Sequence, residues 1–252
     1  MLPIDLPQRA GKPRLKGLTS LLDPGVPDGH FRDVIESHGP CIDHVKFGWG
    51  SSLITKDLPR KFEILEANQV YGFFGGTLFE KAVASLRVDA FRQWCRAFGC
   101  RLVEISTDSI QLEPHDRARY ISSFAHEFSV LSEVGSKRPA AGGDPPAEWI
   151  RQIRADLDAG ASYVILESRE SGTSGLYHPN GELRRNLLDA IIDSDLPIDR
   201  LIFEAPAKDQ QALLIHALGP SVNLANIRFT DSLALESLRL GLRADTFGIY
   251  SS

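Results

Sequence analysis

The sequence predicts an α/β protein, a single-domain (β/α)8 TIM-like barrel over residues 1–252, of which 1–14 form an N-terminal extension. The length is one indication, because such a barrel typically needs about 250 residues. Another is the alternation of short apolar runs with amphipathic stretches, which is typical of a parallel sheet covered by helices. The third is a repeat of four apolar runs that end in glutamates spaced 29, 34 and 37 residues apart, the length of one βα unit. These are Glu104, Glu133, Glu167 and Glu204.

Eight strands are expected where short apolar runs, rich in β-branched or aromatic residues, are bounded by polar or turn-forming residues. In chain order they cover 15–22, 42–47, 70–74, 101–106, 128–133, 163–167, 200–204 and 222–226. Helices are expected where polar and apolar residues separate to opposite sides at helical spacing. The clearest lie at 88–98, 116–127, 148–159, 183–193 and 209–217, each between two predicted strands. Eight units of this kind favour closure of the sheet into a barrel.

Two long segments, residues 135–148 and 168–182, interrupt this pattern. Both are rich in Gly, Pro and Ser, and each follows a strand that ends in a glutamate. Loops of this length in a compact domain are either functional lids or plain connections. Because both begin beside candidate site residues, we predict lids that become ordered when a ligand binds.

The composition argues against several classes of partner. The formal net charge is −5 and the sequence pI is about 5.8, and no basic tract marks a nucleic-acid surface. No run approaches the ~20 apolar residues of a membrane span, and the polar start lacks a signal-peptide core, so we expect a cytoplasmic protein without membrane contact. The three cysteines lack a CxxC pair and the histidines lack zinc-ligand spacing, which disfavours a zinc site.

The strand-end glutamates are the strongest candidates for a site. In a parallel barrel the C-terminal ends of successive strands meet at one mouth. Side chains alternate faces along a strand, so the four glutamates should point inward together with the apolar residues two positions before them. Unpaired buried acids repel one another, and carboxylate oxygens suit a hard ion, so Mg2+ is the expected cofactor. The alternative is that these acids form salt bridges inside the barrel without a ligand.

Cationic residues accompany the acids. Lys46 lies on the second predicted strand among apolar neighbours, so its pKa is expected to fall and it becomes a candidate proton donor or base. Lys137 follows Glu133 and is either a catalytic group or a solvated loop charge. Arg169 follows Glu167, and its planar guanidinium suits bidentate binding of a carboxylate, phosphate or sulfonate.

Three further polar residues are candidates for contact with an anionic group. Thr77 follows Gly75 and Gly76 after the third strand, where it could cap the next helix or contact a ligand. Asn223 and Asn226 belong to the end of the eighth predicted strand, a region where barrels often bind phosphate. Either asparagine orients an anion there or only closes a turn.

Short motifs occur in order along almost the whole chain: KPR at 12–14, GLT at 17–19, IDHVKFGWG at 42–50, GGTLFE at 75–80 and EIS at 104–106. They continue with SEVG at 132–135, ESRESG at 167–172, EAP at 204–206, VNL at 222–224 and LRLGLR at 238–243. Together they resemble the phosphosulfolactate synthase family. So many matches in the same order make the resemblance specific.

The resemblance implies a TIM-like barrel that adds sulfite to phosphoenolpyruvate in a Mg2+-dependent reaction, giving 2-phospho-3-sulfolactate. Its partners would then be small anionic substrates, and a homo-oligomer is compatible with this prediction. Glu104, Glu133 and Glu167 are expected to hold Mg2+. Lys137 or Lys46 would protonate C2, with Glu204 orienting a lysine. Sulfite or phosphate would be held by Arg169, Asn223 and Asn226.

Two alternatives stay open. One is an enzyme of the same fold that adds another nucleophile to a phosphorylated carboxylate, which a substrate panel at fixed Mg2+ would identify. The other is a non-catalytic barrel protein, because the family is also similar to plant heat-stress-associated proteins. The many charged residues on the inner face, among them Lys46 and Glu204, favour an enzyme over a scaffold.

Overall fold

The computed structural model describes residues 4–110, 112–135, 144–168 and 171–250. Within these ranges, eight strands form one parallel sheet. In chain order they are β1 (Thr19–Asp23), β2 (His44–Phe47), β3 (Tyr71–Phe74), β4 (Leu102–Ile105), β5 (Ser129–Val134), β6 (Tyr163–Leu166), β7 (Leu201–Glu204) and β8 (Asn223–Ile227). Each overlaps a strand expected from the sequence, and the predicted TIM-like barrel is confirmed.

Helices separate the strands and pack on the outer face of the sheet. The α-helices are α1 (Asp28–His38), α2 (Leu58–Ala67), α3 (Gly76–Ala84), α4 (Val88–Ala97), α5 (Pro114–Ala125), α6 (Pro146–Asp158), α7 (Arg185–Ile192), α8 (Lys208–Leu218) and α9 (Ser232–Arg239). Shorter 3-10 helices cover Gly39–Cys41, Gly48–Leu53, Ile198–Arg200, Phe229–Asp231 and Ala244–Tyr250. Proline occupies one of the first two positions of α2, α5 and α6, where its missing N–H costs no helical hydrogen bond. No helix in the described ranges is long and apolar enough to cross a membrane.

The sheet closes almost completely, and its gap in main-chain pairing lies between β3 and β4. The strand order around the sheet is β3-β2-β1-β8-β7-β6-β5-β4. Side chains join the two edge strands instead. At the amino end, the Arg101 guanidinium lies 5.0 Å from the centre of the Tyr71 ring. At the carboxyl end, the Gly76 N–H donates to Glu104 Oε1 over 2.6 Å, so Glu104 helps to close the barrel.

Alternation along the strands separates the barrel interior from the layer beneath the helices. Leu102, Leu131 and Ile165 belong to a small buried cluster of inward-facing residues. Val103 and Ile105 belong instead to the large cluster that packs against the helices. The glutamates two positions after the inner residues therefore lie one layer closer to the mouth, as the sequence predicts. The inner cluster comprises Leu18, Phe73, Leu102, Leu131, Ile165, Ile202 and Ala225.

The predicted N-terminal extension is tied to the opposite end of the barrel. Lys12 Nζ donates to three carbonyl oxygens in the loops before β2 and β3, at 2.7–3.1 Å. Arg14 Nε lies 2.8 Å from Asp43 Oδ1, and Arg9 Nε lies 2.9 Å from Glu236 Oε1. These contacts make the segment part of the folded body and close the amino end of the barrel.

The loop after β6 is packed against the barrel over its described residues. Leu176 and Tyr177 are buried, and the Leu176 N–H donates to the Glu167 carbonyl over 3.0 Å. Gly175 has a φ of 60°, and a Cβ at this position would collide with the same carbonyl oxygen, so only glycine fits. The expectation that this segment becomes ordered when a ligand binds stays a prediction. Residues 136–143 of the other predicted lid lie outside the described residues.

His44 allows a test of the fold through the pH dependence of stability. Burial lowers the His44 pKa from 6.5 to about 4, although Asp43 opposes the shift. The unfolded chain then binds a proton that the folded protein does not, so stability should fall as the pH drops from about 6.5 towards 4. The expected loss between pH 7 and 5 is about 2 kcal/mol.

A His44→Phe variant should lose this part of the pH dependence, because phenylalanine does not titrate. The exposed His126→Phe variant should keep it. Denaturant unfolding at pH 5 and pH 7 measures the free energy of unfolding for each protein. The same pH dependence in His44→Phe as in wild type would contradict the burial of a neutral His44.

Candidate active site

The four strand-end glutamates converge on one cavity at the carboxyl end of the barrel. Glu104 lies in β4 and Glu133 in β5, Glu167 directly follows β6, and Glu204 ends β7. All four are buried, and all line a cavity of about 40 Å³ that Lys46 also lines. The convergence expected from their spacing is therefore present. Their function as metal ligands stays a prediction.

Lys46 lies among these acids. Its ammonium is 3.2 Å from Glu104 Oε2 and 3.1 Å from Glu204 Oε1. Burial favours the uncharged amine, but Glu104, Glu204 and Glu133 outweigh it and raise the Lys46 pKa well above its usual range. The expectation of a lowered pKa was wrong, because the acids that reverse it come from three other strands. Lys46 is therefore a fixed cation in the mouth.

Glu104 contacts a helix start with one oxygen and Lys46 with the other. Oε1 accepts the Gly76 N–H at the start of α3, where the helix dipole favours negative charge. Oε2 is close to Lys46, but no described donor is aligned with it for a hydrogen bond. Burial raises the Glu104 pKa to about 8, with repulsion from Glu133 and Glu204 and in spite of Lys46. A carboxyl group with so high a pKa is stabilised in its charged form by an added cation.

Glu204 joins its own strand end to the loop after β6. Its Oε2 accepts the Ser168 N–H over 2.9 Å, while Oε1 accepts from Lys46. The Glu204 carbonyl accepts the Tyr177 hydroxyl over 2.9 Å. Burial raises the Glu204 pKa, with Lys46 opposing and Glu133 adding to the shift. This geometry suits the predicted function of Glu204 in orienting a lysine, here Lys46.

Arg117 on α5 is a supporting residue that the sequence analysis missed. Its Nη2 donates to the Glu133 carbonyl and its Nη1 to Thr107 Oγ1, each over 2.8 Å. The same guanidinium pairs with Asp156 on α6, with Nε 2.9 Å from Oδ1. From α5, on the outer side of the sheet, Arg117 therefore connects the carboxyl ends of β4 and β5. An arginine on an amphipathic helix gives no sequence signal for such a position.

The loop after β4 is held by α3. Glu80 Oε1 accepts hydrogen bonds from Ser106 Oγ and from the Asp108 N–H, each over 2.6 Å. A Cβ at Gly76 would collide with Ser106 Oγ, so glycine allows α3 to approach β4 closely. The glycines of the GGTLFE motif can be recognised in the sequence, whereas the function of its glutamate, four residues after Gly76 on the same helix, depends on the position of the loop after β4.

The three polar residues proposed to contact an anion differ in placement. Thr77 lines the cavity but does not cap α3, since the N-cap residue is Gly75. Asn226 also lines the cavity, and its buried Oδ1 has no hydrogen-bond partner among the described residues. Asn223 lies at the opposite, amino end of β8, where its amide is bonded to three main-chain groups. Its assignment as a substrate-binding residue was wrong, because Asn223 begins β8 and lies near the start of the predicted strand 222–226 as well, whereas only the carboxyl end of a strand reaches the mouth.

Two predicted site residues, Lys137 and Arg169, lie outside the described residues, so their place in the site stays a prediction. Trp49, which the sequence analysis did not single out, lines the cavity from the loop after β2. A signal for it exists, since it stands between Gly48 and Gly50 directly after a strand. Loops at the carboxyl ends of barrel strands commonly carry binding residues.

The oxygen-rich cavity is suited to a hard cation. It is lined by four carboxylates, and one buried Glu104 oxygen lacks an aligned donor. In the part of the chain that the structure describes, no three His, Cys, Asp or Glu side chains lie close enough together to hold an ion by themselves. Mg2+ commonly completes its coordination with water and substrate oxygens. Among the described residues, at most two of these carboxylates could therefore contact one ion directly, with water and a ligand supplying its other oxygens.

A nearly closed (β/α)8 barrel with four acids and a buried lysine at its carboxyl mouth defines a barrel enzyme. Among solved structures, the chain is similar to 3-hexulose-6-phosphate synthase, with a TM-score of 0.55 at 15% sequence identity. The match covers 88% of this chain and 97% of the other. At this identity, the likeness concerns the fold alone.

Sequence comparison identifies the family. Residues 7–245 match the family model described as (2R)-phospho-3-sulfolactate synthase (ComA). The phosphosulfolactate synthase of Bacillus subtilis (strain 168) is 49% identical over 245 residues, which cover 97% of each chain. That of Methanothermobacter thermautotrophicus is 41% identical over 251 residues, which cover 96% of this chain and 95% of the relative. The chain belongs to the phosphosulfolactate synthase family, as the motifs predict.

Proposed function

We propose that this enzyme adds sulfite to C3 of phosphoenolpyruvate, giving 2-phospho-3-sulfolactate, in a reaction that depends on Mg2+. The observation that carries the proposal is the charged Lys46 between two buried carboxylates at the barrel mouth. The named relatives support the choice of reaction. Both reactants are anions, so the reaction needs positive charge fixed inside an otherwise acidic mouth.

The proposed reaction is an addition that leaves the phosphate ester intact. The lone pair of the sulfite sulfur forms the bond to C3, and the C2–C3 π electrons move through C2 into the carboxylate. The enediolate-like intermediate then takes up one proton at C2. Groups that stabilise the charge developing on the carboxylate therefore lower the barrier.

In this proposal Lys46 stabilises that charge electrostatically. Its raised pKa disfavours release of a proton near neutral pH, so another group protonates C2, for which Lys137 is our candidate. Glu204 orients the Lys46 ammonium through their 3.1 Å contact. Thr77, which lines the cavity, contacts the substrate from another wall. Arg169 is our candidate for binding sulfite, because its guanidinium suits an anion.

Glu104, Glu133 and Glu167 would hold Mg2+, directly or through water. When bound, Mg2+ would supply Lewis acidity that stabilises negative charge developing on the substrate. Carboxylate oxygens are ligands that Mg2+ prefers. The Glu104 pKa of about 8 also supports a cation here, because burial and neighbouring acids destabilise its charged form.

Product analysis tests this proposal. Purified protein is incubated with phosphoenolpyruvate, sulfite and MgCl2, and the sulfonated adduct is measured by mass spectrometry. We expect the adduct to form with MgCl2, to disappear with EDTA and to return when excess MgCl2 is added. The absence of an adduct with sulfite, together with an adduct formed by another nucleophile in a substrate panel at the same Mg2+ concentration, would contradict the proposal and favour the alternative reaction on the same fold.

A further inference from the structure

The acid-lined cavity is too small for the whole proposed substrate. Its volume of about 40 Å³ has room for about three water molecules, since one needs roughly 10–15 Å³ by this measure. Phosphoenolpyruvate carries a phosphate as well as a carboxylate, and sulfite must also approach. The inference rests on the proposed function. If the carboxylate end enters this cavity, the phosphate lies outside it.

A second cavity adjoins the first. Its volume is about 350 Å³, and it shares Leu22, Trp49 and Asn226 with the acid-lined cavity. Its remaining walls come from the loops after β1, β7 and β8 and from α1, and they are mostly apolar. A substrate that extends past the three shared residues therefore enters the second cavity.

The two cavities differ in charge. Four glutamates line the first, whereas no aspartate or glutamate is among the described residues that line the second. Arg228, the residue directly after β8, lines the second cavity together with His30. Arg228 is exposed, and no ion pair or hydrogen bond occupies its guanidinium among the described residues. A guanidinium binds phosphate in bidentate fashion, and apolar walls strengthen such an interaction.

Two of the three residues at the boundary between the cavities have a left-handed backbone conformation, and for Trp49 this conformation is strained. Trp49 has a φ of 52°, in the left-handed region that disfavours a bulky side chain, and Asn226 has a φ of 58°, which asparagine tolerates better than most residues. The Asn226 Oδ1 is also buried without a described partner. Strain of this kind is concentrated at ligand sites in proteins. Residues at this boundary are therefore expected to contact a ligand that extends through both cavities.

We propose that the second cavity binds the phosphate group of phosphoenolpyruvate, with Arg228 as the anion ligand. Trp49 and Asn226 then lie between the phosphate and the reacting carbons. The phosphate is kept away from the four carboxylates, while the substrate carboxylate points towards Lys46. This separation sets the orientation of the substrate before sulfite attacks.

Binding without turnover tests the proposal. Calorimetric titration with phosphoenolpyruvate and MgCl2, without sulfite, compares wild type with Arg228→Gln and Arg228→Lys. We expect Arg228→Gln to bind phosphoenolpyruvate roughly 10- to 100-fold more weakly, the usual effect of losing a charge-assisted hydrogen bond. The phosphoenolpyruvate affinity of Arg228→Lys should lie between those of wild type and Arg228→Gln, because lysine keeps the positive charge but lacks the planar guanidinium. Arg87→Gln, at an exposed arginine that lines neither cavity, is the matched control and should bind as wild type does.

Two further measurements make the result specific. Pyruvate, which lacks the phosphate, should bind equally to wild type and to Arg228→Gln. Quenching of tryptophan fluorescence by phosphoenolpyruvate should be largely lost in Trp49→Phe. Unchanged phosphoenolpyruvate affinity in Arg228→Gln, or an equal loss of pyruvate affinity, would overturn the proposal.

The outcomes also separate this proposal from the proposed function. If wild type binds phosphoenolpyruvate through Arg228 but forms no sulfonated product, the function fails and the phosphate site stands. If wild type forms the product and Arg228→Gln keeps the wild-type KM for phosphoenolpyruvate, the function stands and the phosphate site fails. No binding of phosphoenolpyruvate to wild type would overturn both.

Discussion

A Lys46→Met variant is expected to show a large loss of stability. Methionine fills a similar volume, but it leaves Glu104 and Glu204 buried without the ammonium that now contacts both. Removing one partner of a buried ion pair costs about 3–5 kcal/mol. The loss should be smaller at acidic than at alkaline pH, because both carboxyl groups already have raised pKa values and take up protons readily.

Denaturant unfolding at two pH values measures this effect. Lys208→Met is the matched control, because Lys208 is a surface lysine whose Nζ lies 2.8 Å from Asp245 Oδ1. Surface pairs of this kind contribute little to stability. If Lys46→Met is as stable as Lys208→Met at both pH values, the description of Lys46 as a fixed buried cation is wrong. The activity of Lys46→Met should also be lost under conditions in which the variant is folded.

A Glu133→Gln variant is expected to show a large loss of activity with the fold retained. Glutamine keeps the shape of the side chain but removes the negative charge, which weakens coordination of Mg2+. We expect kcat to fall on the order of 10²–10³-fold, the scale seen when one electrostatic group is removed from an active site. The thermal unfolding midpoint should change little, since the packing volume is retained.

A Mg2+ titration of the rate gives the cause of that loss. The Mg2+ concentration for half-maximal rate should be higher in Glu133→Gln than in wild type. Glu63→Gln is the control, because Glu63 is exposed and paired with Arg60 on the surface. A wild-type rate and a wild-type Mg2+ dependence in Glu133→Gln would remove Glu133 from the proposed metal site.

The sequence allowed the barrel and its layers to be predicted because both depend on local patterns. The alternation that places Leu102 and Glu104 inside and Val103 outside is visible within three residues. The spacing of the strand-end glutamates similarly indicates that they meet at one mouth. These features need no knowledge of which strands are neighbours, so a single sequence is sufficient.

The failures concern properties that depend on residues distant in the chain. The direction of the Lys46 pKa shift follows from acids on β4, β5 and β7, which local apolar neighbours do not reveal. The placement of Asn223 failed although the predicted strand, 222–226, and the observed β8 differ by only one residue, because Asn223 lies near the start of both and only the carboxyl end of a strand reaches the mouth. Arg117 and Arg228 were missed because their positions beside the cavities depend on the packing of whole elements.

The gap between β3 and β4 also affects how the chain can fold. Among the described strands, β1, β2 and β3 are paired to the others only through β1 and β8. The hydrogen bond from the Leu18 N–H to Asn223, at the start of this junction, spans 205 positions in sequence. Such distant contacts carry a large entropic cost and form slowly. During synthesis on the ribosome, the first three strands would therefore keep an unpaired edge until the last strand emerges, which is the period when chaperones would protect this chain most.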